Sequence, residues 1–392
     1  MDWSFLIKNK ESLNVTTDSR KITPGCIFVA LKGEHFDGND FVDQAKADGA
    51  AYIISGENAL KDLQDLARAW RRHLDKPIIA ITGTNGKTTT KELTAAVLKT
   101  KFNVHYTQGN LNNSLGVPLT VLQLTTAHQI GIIEMGASHP GDIKELVEVA
   151  EPNFGLITNV GRAHLQGFGS FEGVMHTKAE LYDWLIEHNG NIFRNADNPY
   201  LEKMLEDASA NSQWPMTNCH CYTTGKMPEG THLVGDYNSE NVQAALCVGE
   251  YFGISREQGL DAIKEYIPTN NRSQRMQTER NTLIIDAYNA NPTSMQAAIN
   301  AFTGDTYILG KMGELGDYSH TEHQNIVNML LERKAPEVYL VGTEWQQTTA
   351  PYPIFPDREA LITFLKEKPL SNKHILIKGS RGNKLEEIIP LL

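Results

Sequence analysis

Cysteine is scarce in this chain. Only Cys26, Cys219, Cys221 and Cys247 occur among 392 residues. That is too few for a disulfide scaffold, and the expectation is a reduced, cytoplasmic setting. The "CHC" at Cys219 to Cys221 lacks the second ligand pair of a structural zinc site, so none is expected there. Long apolar runs are also missing, and none approaches the roughly 20 residues of a membrane span. The opening "MDWSFLIKNKES" has no apolar core and no small-residue cleavage site, so it does not read as a signal peptide. Positive charge is in deficit, with 36 Lys and Arg against 47 Asp and Glu and a formal net charge of -11. This balance disfavours a protein that coats nucleic acid or an anionic membrane, while leaving room for a local basic pocket. There is no internal repeat and no low-complexity tract.

What the sequence does have is alternation. Residues 1–76 read as a small mixed α/β domain, with strand-like "CIFVAL" and "AAYIIS" around helical "FVDQAKADGA", closed by charged "ARAWRRHLDK". From Pro77 the apolar runs "PIIAIT", "IGIIEMG" and "FGLITNVG" alternate with helical "KTTTKELTAAVLKT" and "PGDIKELVEVA". That pattern implies a parallel sheet covered on both faces. A second series starts near Thr282: strands "TLIIDAY", "TYILG", "EVYLVG" and "HILIKG" with helices "PTSMQAAINAF", "HTEHQNIVNMLLERK", "REALITFLKE" and "LEEIIPLL". The predicted architecture is α/β in three domains. A small domain at 1–76 precedes a central parallel-sheet domain at 77–268 and a Rossmann-like domain at 269–392.

Between "IAIT" and the first central helix lies Gly83-Thr84-Asn85-Gly86-Lys87-Thr88-Thr89. It departs from G-x-x-x-x-G-K-[ST], because position 81 is Ile81 rather than glycine. The context is nonetheless that of a phosphate loop, with a buried strand, glycines, and a helix opening at Lys87. A helix N-terminus offers free N–H groups and positive potential to an anion. Lys87 would add a charge for the β- and γ-phosphates, and the Thr88 hydroxyl is placed to ligate Mg2+. The alternative is a glycine turn with a solvated lysine. Magnesium also needs hard oxygen ligands, and open parallel sheets gather ligands at the C-terminal strand ends. Glu134 ends an otherwise apolar strand and is the natural candidate, unless it caps the helix that begins near Pro140. Asp286 ends its own strand in the same way.

"TGTNGKTT" resembles the phosphate loop of the Mur ligases, the ATP-dependent amide ligases of peptidoglycan precursor synthesis. The resemblance covers nearly the whole chain. "TTDSRKITPGCIFVALKGEHFDGNDFVDQA" resembles the family's UDP-sugar-binding domain. "GNLNNSLGVPLTVL" and "TNVGRAHLQGFGSFEGVMHTKAEL" resemble its central segments. "DAYNANPTSM", "GKMGELG" and "KGSRGNKLE" resemble the branch that adds D-alanyl-D-alanine. The loop alone would fit every Mur ligase and folylpolyglutamate synthase; "DAYNANP" with "KGSR" is more specific.

The resemblance implies roles residue by residue. The loop from Gly83 to Thr89 would hold ATP, with Lys87 and Thr88 on the phosphates and Asn113 nearby. Thr88, Glu134 and His164 would hold magnesium, two ions in all, together with Lys178 as a carbamylated lysine. Lys87, His164 and Lys178 would be the catalytic groups. Asn238, Arg272, Asp286, Tyr288, Asn289 and Asn291 would contact the nucleotide. Asp18, Ser19 and Arg20 would face UDP-MurNAc-tripeptide, bound by the first domain. D-alanyl-D-alanine would enter with the third, and a monomer is expected. Each role has a plainer alternative. His164 could be an ordinary hydrogen-bonded residue, Lys178 a helix salt bridge to Glu172 or Glu180, Asn289 and Asn291 an Asx turn before Pro292, and Asp18 a turn acid. Asp236 stands where the family often has His, and Lys311 where Asp is common. Residues 195–235 look short for the end of a central domain. Two rival functions remain at this stage. One is a related ligase that adds a single amino acid, and the other is a nucleotide-binding regulatory module without ligase chemistry.

Overall fold

The computed structural model describes residues 2–33 and 36–392. The described residues form three sheets. The first is small and parallel, from β1 (Val15–Thr16), β2 (Ile27–Val29) and β3 (Tyr52–Ile54). The central sheet holds β4 (Ile78–Thr82), β5 (Val104–Tyr106), β6 (Ile130–Glu134), β7 (Phe154–Ile157), β8 (Asn191–Asn195) and β9 (Cys219–Tyr222). Its order is β5-β6-β4-β7-β8-β9 and every pairing is parallel. The third sheet holds β10 (Gln274–Gln277), β11 (Thr282–Asp286), β12 (Thr306–Gly310), β13 (Glu337–Val341), β14 (Ile354–Phe355) and β15 (His374–Lys378). Its order is β10-β11-β15-β12-β13-β14, parallel except where β10 runs against β11.

The apolar strands are buried as their composition requires. β4, β6 and β12 are buried at every position, because helices cover both faces of each parallel sheet. β4 lies between β6 and β7, so the chain leaves it toward one half of the sheet and later returns to the other. Ligands bind at such a switch point, and the glycine loop follows β4 there.

Helix Ala59–Leu74, read as the close of the first domain, docks on the central one. Its Leu63, Leu66 and Trp70 share a core with Ile78, Val121 and Val147. The Trp70 indole donates to the Leu124 carbonyl at 2.9 Å. The tail "LEEIIPLL" is a 3-10 segment over Leu385–Leu391 rather than an α-helix. Pro390 lies inside it and has no N–H for the α-helical ladder. Residues 195–235 contain helix Pro199–Ser209, capped by Asn198 with Pro199 in its first turn, and edge strand β9. The sequence reading assigned neither.

Candidate active site

A cavity of about 700 Å³ opens at the C-terminal ends of β4 and β6 and is closed on its far side by the third domain. The loop shapes one wall. Gly83 has φ +139° and Gly86 φ +80°, both in the region that favours glycine. A Cβ on Gly83 would lie 2.0 Å from Thr158 Oγ1, and one on Gly86 2.4 Å from Asn241 Oδ1. Asn159 secures the loop from β7's end: its carbonyl accepts from Thr84 N–H at 2.9 Å, and its side-chain oxygen from Asn85 N–H at 3.0 Å. Ile81 is simply a buried residue of β4. Helix Lys87–Lys99 then points its N-terminus into the cavity. The Lys87 ammonium folds back to donate to the carbonyls of Gly83 at 2.8 Å and Thr84 at 3.0 Å. Burial lowers its pKa to about 8.

Glu134 is 1% exposed. One carboxylate oxygen accepts from Thr88 Oγ1 at 3.2 Å and Asn112 Nδ2 at 2.8 Å. The other accepts no hydrogen bond. Lys91 Nζ stands 3.6 Å from it, too far to donate, and is committed to the Thr107 carbonyl at 2.7 Å. Helix Asp142–Ala150 is served by Asp142, whose carboxylate accepts from the N–H groups of Ser138 and His139 just before it, so Glu134 is not that helix's cap. A buried carboxylate oxygen without a donor, beside a hydroxyl, suits a hard divalent cation. Among the described residues no three His, Cys, Asp or Glu side chains cluster as metal ligands. A donor set this small suits magnesium, which keeps several waters and binds through one or two carboxylates and substrate phosphates.

His164 has φ +51° and begins helix Leu165–Phe168; its Nδ1 meets the carboxylate of Glu314 from the third domain. Burial lowers its pKa. Lys178 lies on helix Phe171–Glu187, 2% exposed and 5.6 Å from the Phe168 ring. It is not among the residues that line the cavity, and no carboxylate pairs with it among the described residues. Burial first, and Lys87 second, push its pKa well below the ordinary value. Glu180 is occupied elsewhere, accepting from the N–H groups of Gly141 at 2.8 Å and Lys144 at 2.7 Å. Residues i and i+2 do not share a helix face.

The third domain contributes Arg272, Asp286, Tyr288 and Asn289 to the cavity. Asp286 ends β11 and Lys378 ends the adjacent β15; Lys378 Nζ donates to Asp286 at 2.6 Å and to the Asn289 carbonyl at 3.0 Å. Arg272 lies 3.8 Å from the Tyr288 ring centroid, within cation–π range. Asn291 caps helix Pro292–Ala301, accepting from Ser294 N–H, and also donates to Asn85 Oδ1 at 2.8 Å. The turn and the contact to the phosphate loop are therefore one arrangement. Asn238 lines the cavity and holds Asn241, the residue that meets Gly86. Asn113 also faces it, with its side-chain oxygen used on Gly116 N–H at 2.8 Å.

The structure thus gathers Thr84 to Thr89 with Asn113, Glu134, His164 and Asn238 and the third-domain residues. Gly83, Asn291 and Lys178 lie outside the residues lining the cavity. Asp18, Ser19 and Arg20 do not line it. Their 3-10 turn is held by Asp18, which binds Arg20 twice at 2.9 Å and whose pKa Arg20 lowers to about 2. Asp236 is exposed and outside the lining, and Lys311 pairs with Glu344 at 2.7 Å. Sequence reasoning missed Asn112, Asn159, Asn241, Glu314 and Lys378. Asn112, Asn159, Glu314 and Lys378 lay inside segments already singled out, "NLNNS", "TNVGRAH", "GKMGELG" and "KGSR", but only packing distinguishes them from their neighbours.

Comparison with known proteins agrees with this geometry. Residues 81–217 match the Mur ligase middle domain, 271–381 the Mur ligase glutamate ligase domain, and 13–105 the Mur ligase family catalytic domain. The UDP-N-acetylmuramoyl-tripeptide–D-alanyl-D-alanine ligase of Escherichia coli is 36% identical over 96% of this chain and 93% of its own. That of Bacillus subtilis is 34% identical over 96% and 92%. Among solved structures, a MurF from Acinetobacter baumannii superposes with a TM-score of 0.83 at 27% identity, over 96% of this chain and 92% of its own. The MurF ligase of Thermotoga maritima in complex with ADP gives 0.83 at 26%, over 98% of each chain. With these identities spread along nearly the full length of both chains, the protein belongs to the Mur ligase family.

Proposed function

We propose that this chain is an ATP-dependent ligase that joins D-alanyl-D-alanine to UDP-N-acetylmuramoyl-tripeptide, releasing ADP and phosphate in peptidoglycan precursor synthesis. It acts as a cytoplasmic monomer, and no helix among the described residues is long and apolar enough to cross a membrane. The observation that carries the reading is the cavity itself, where a phosphate loop and a buried, half-satisfied Glu134 face third-domain residues across one Asn85–Asn291 hydrogen bond. Relatives named for this activity support the choice of substrates, and the ADP complex of one neighbour supports the nucleotide.

A carboxylate is a poor acyl donor, because its leaving group would be oxide. Attack of the tripeptide carboxylate on the γ-phosphate of ATP gives an acyl phosphate. The amine of D-alanyl-D-alanine then attacks the carbonyl and phosphate leaves. The N–H groups at the start of helix Lys87–Lys99 and the Lys87 ammonium hold the phosphates, with Lys87 exchanging its two loop carbonyls for phosphate oxygens. Arg272 and Tyr288 present a flat cationic face for the nucleotide. Closure of the third domain excludes water from the acyl phosphate. Thr88, Glu134, His164 and a carbamylated Lys178 would hold Mg2+, which when bound neutralises charge on the γ-phosphoryl oxygens. A buried lysine with no carboxylate partner favours the neutral amine. That amine adds CO2 and releases a proton, giving an anionic carbamate.

A ligase adding a single amino acid is the rival. The Mur ligase that adds the third residue typically carries D-N-P-R in its C-terminal domain, whereas the only "DNP" here is Asp197-Asn198-Pro199, followed by Tyr200, and it caps a central-domain helix. Phosphate release measured with each UDP-MurNAc-peptide and each candidate amine tests the assignment. Release should require the tripeptide and D-alanyl-D-alanine together; equal release with a single amino acid would overturn it.

A further inference from the structure

Edge strand β9 carries chemistry that the ligase reaction does not use. Alternate side chains of a strand share a face, so Cys219 and Cys221 point the same way, and their sulfurs lie 3.8 Å apart. Cys221 is exposed and Cys219 half-buried. Arg194 is the register partner of Cys221 on β8, with Nη2 3.8 Å from the Cys221 sulfur. Arg194 is 8% exposed, and its Nε and Nη1 are buried with no acceptor among the described residues. Its nearest carboxylate, on Glu202, stands 3.8 Å away. A buried guanidinium left this free favours an anion beside it, and the neighbouring groups able to become one are the two sulfurs.

We propose that Cys219 and Cys221 form an oxidation site, in which a hydroperoxide converts Cys221 to a sulfenic acid and Cys219 resolves it to a disulfide. In the first step the Cys221 thiolate attacks one peroxide oxygen, the O–O bond breaks, and the other oxygen leaves and takes a proton. In the second, Cys219 sulfur attacks the sulfenyl sulfur, the S–O bond breaks, and the Cys219 proton departs with the hydroxyl as water. The two thiols lose two hydrogens, and the peroxide is reduced. Exposed Cys221 next to a cation and a second thiol has the features of a redox-sensing cysteine. Burial pushes the Cys219 pKa up to about 11 and keeps it a thiol until its partner is oxidised. The sulfurs must close to about 2.05 Å, and β9 is paired on one side only, so the strand can give. A disulfide of this kind is readily reduced again.

The remaining thiols serve as internal controls. Cys26 is buried, and Cys247 lies against the His220 carbonyl, its pKa pushed up to about 12 by burial. Full-length protein is titrated with hydrogen peroxide while folded, then denatured, alkylated, and read by peptide mass. The peptide holding Cys219 and Cys221 should lose two hydrogens, reversibly with dithiothreitol, while Cys26 and Cys247 alkylate fully. Cys219→Ser should accumulate a dimedone adduct on Cys221, and Cys221→Ser should slow oxidation at least about tenfold. A disulfide to Cys247, an intermolecular disulfide, or equal oxidation of all four thiols would overturn the proposal. The wild-type mass readout decides the matter even where a serine variant folds poorly.

Discussion

Glu134 and Asp286 hold matching places in two sheets. Each is the last residue of an apolar parallel strand, and each reaches the same cavity. Their electrostatic circumstances differ. Asp286 has a buried ammonium 2.6 Å away on the neighbouring strand, so its charge is answered within the protein. Glu134 also has a buried ammonium near it, Lys91 at 3.6 Å, but that group donates to the Thr107 carbonyl, so one Glu134 oxygen keeps no donor. A carboxylate already neutralised can position and brace; one left wanting can receive a cation. The central sheet therefore offers an acceptor still open to a cation, and the C-terminal sheet a braced wall across the same cavity.

The sharpest way to break this contrast is Asp286→Asn. It leaves Lys378 as an uncompensated buried charge and should cost about 3–5 kcal/mol of stability, read as a lower denaturant midpoint. A fully stable Asp286→Asn protein would mean the pair is not structural. Glu134→Gln should do the opposite. Its fold should persist, because buried Lys91 keeps the Glu92 carboxylate at 3.2 Å and the Thr107 carbonyl at 2.7 Å, while turnover falls by about 3–4 kcal/mol of transition-state stabilisation. Retained stability with near wild-type ligation would remove Glu134 from the site. Lys178→Ala should be similarly inactive in a folded protein and partly rescued by acetate or formate, which replace the carbamate's oxygens. Full activity of Lys178→Ala in CO2-depleted buffer would exclude the carbamate.

Lys87 supplies a smaller, pH-dependent test. Burial takes its pKa from 10.5 to about 8. Between those values the unfolded chain holds a proton that the folded loop does not. The penalty is therefore fully present below about 8, and stability from this group rises with pH up to 10.5. Bound phosphates reverse the shift, so ATP binding near pH 8 should take up protons, and calorimetry in two buffers of different ionisation enthalpy would show it. Buffer-independent heats would count against the assignment. The smallest effect belongs to the contact between the two walls. Arg162 binds buried Glu322 at 3.2 Å, its backbone N–H binds Thr293 Oγ1 at 3.2 Å, and both partners lie in the third domain. Arg162 is largely exposed, so a double-mutant cycle on Arg162 and Glu322 should give about 0.5–1 kcal/mol of coupling. It should appear in the KM for ATP more than in kcat. A coupling of zero would leave closure to the remaining interdomain contacts.

The chain by itself determined the features that local physics encodes. Alternating apolar runs and amphipathic stretches specified parallel sheets, because burial on both faces demands that composition. Gly83, Gly86 and Lys87 after a buried strand specified a tight glycine turn into a helix N-terminus, because turn conformation and helix onset are local. Charged Glu134 and Asp286 at apolar strand ends marked the rim. Tertiary structure decided what those groups meet. Asp286 finds Lys378 ninety-two positions away only because β15 inserts beside β11. Asn291 meets Asn85 across 206 positions, and Glu314 reaches His164 from another domain. Helix Ala59–Leu74 closes the first domain in sequence, yet its apolar face shares one core with first-domain Trp3, Ile27 and Ile54 and with central-domain Ile78, Val121 and Val147. Periodicity says which face of an element is buried but not what covers it. That depends on strand order and domain packing, which are settled by summed contacts between residues distant in sequence.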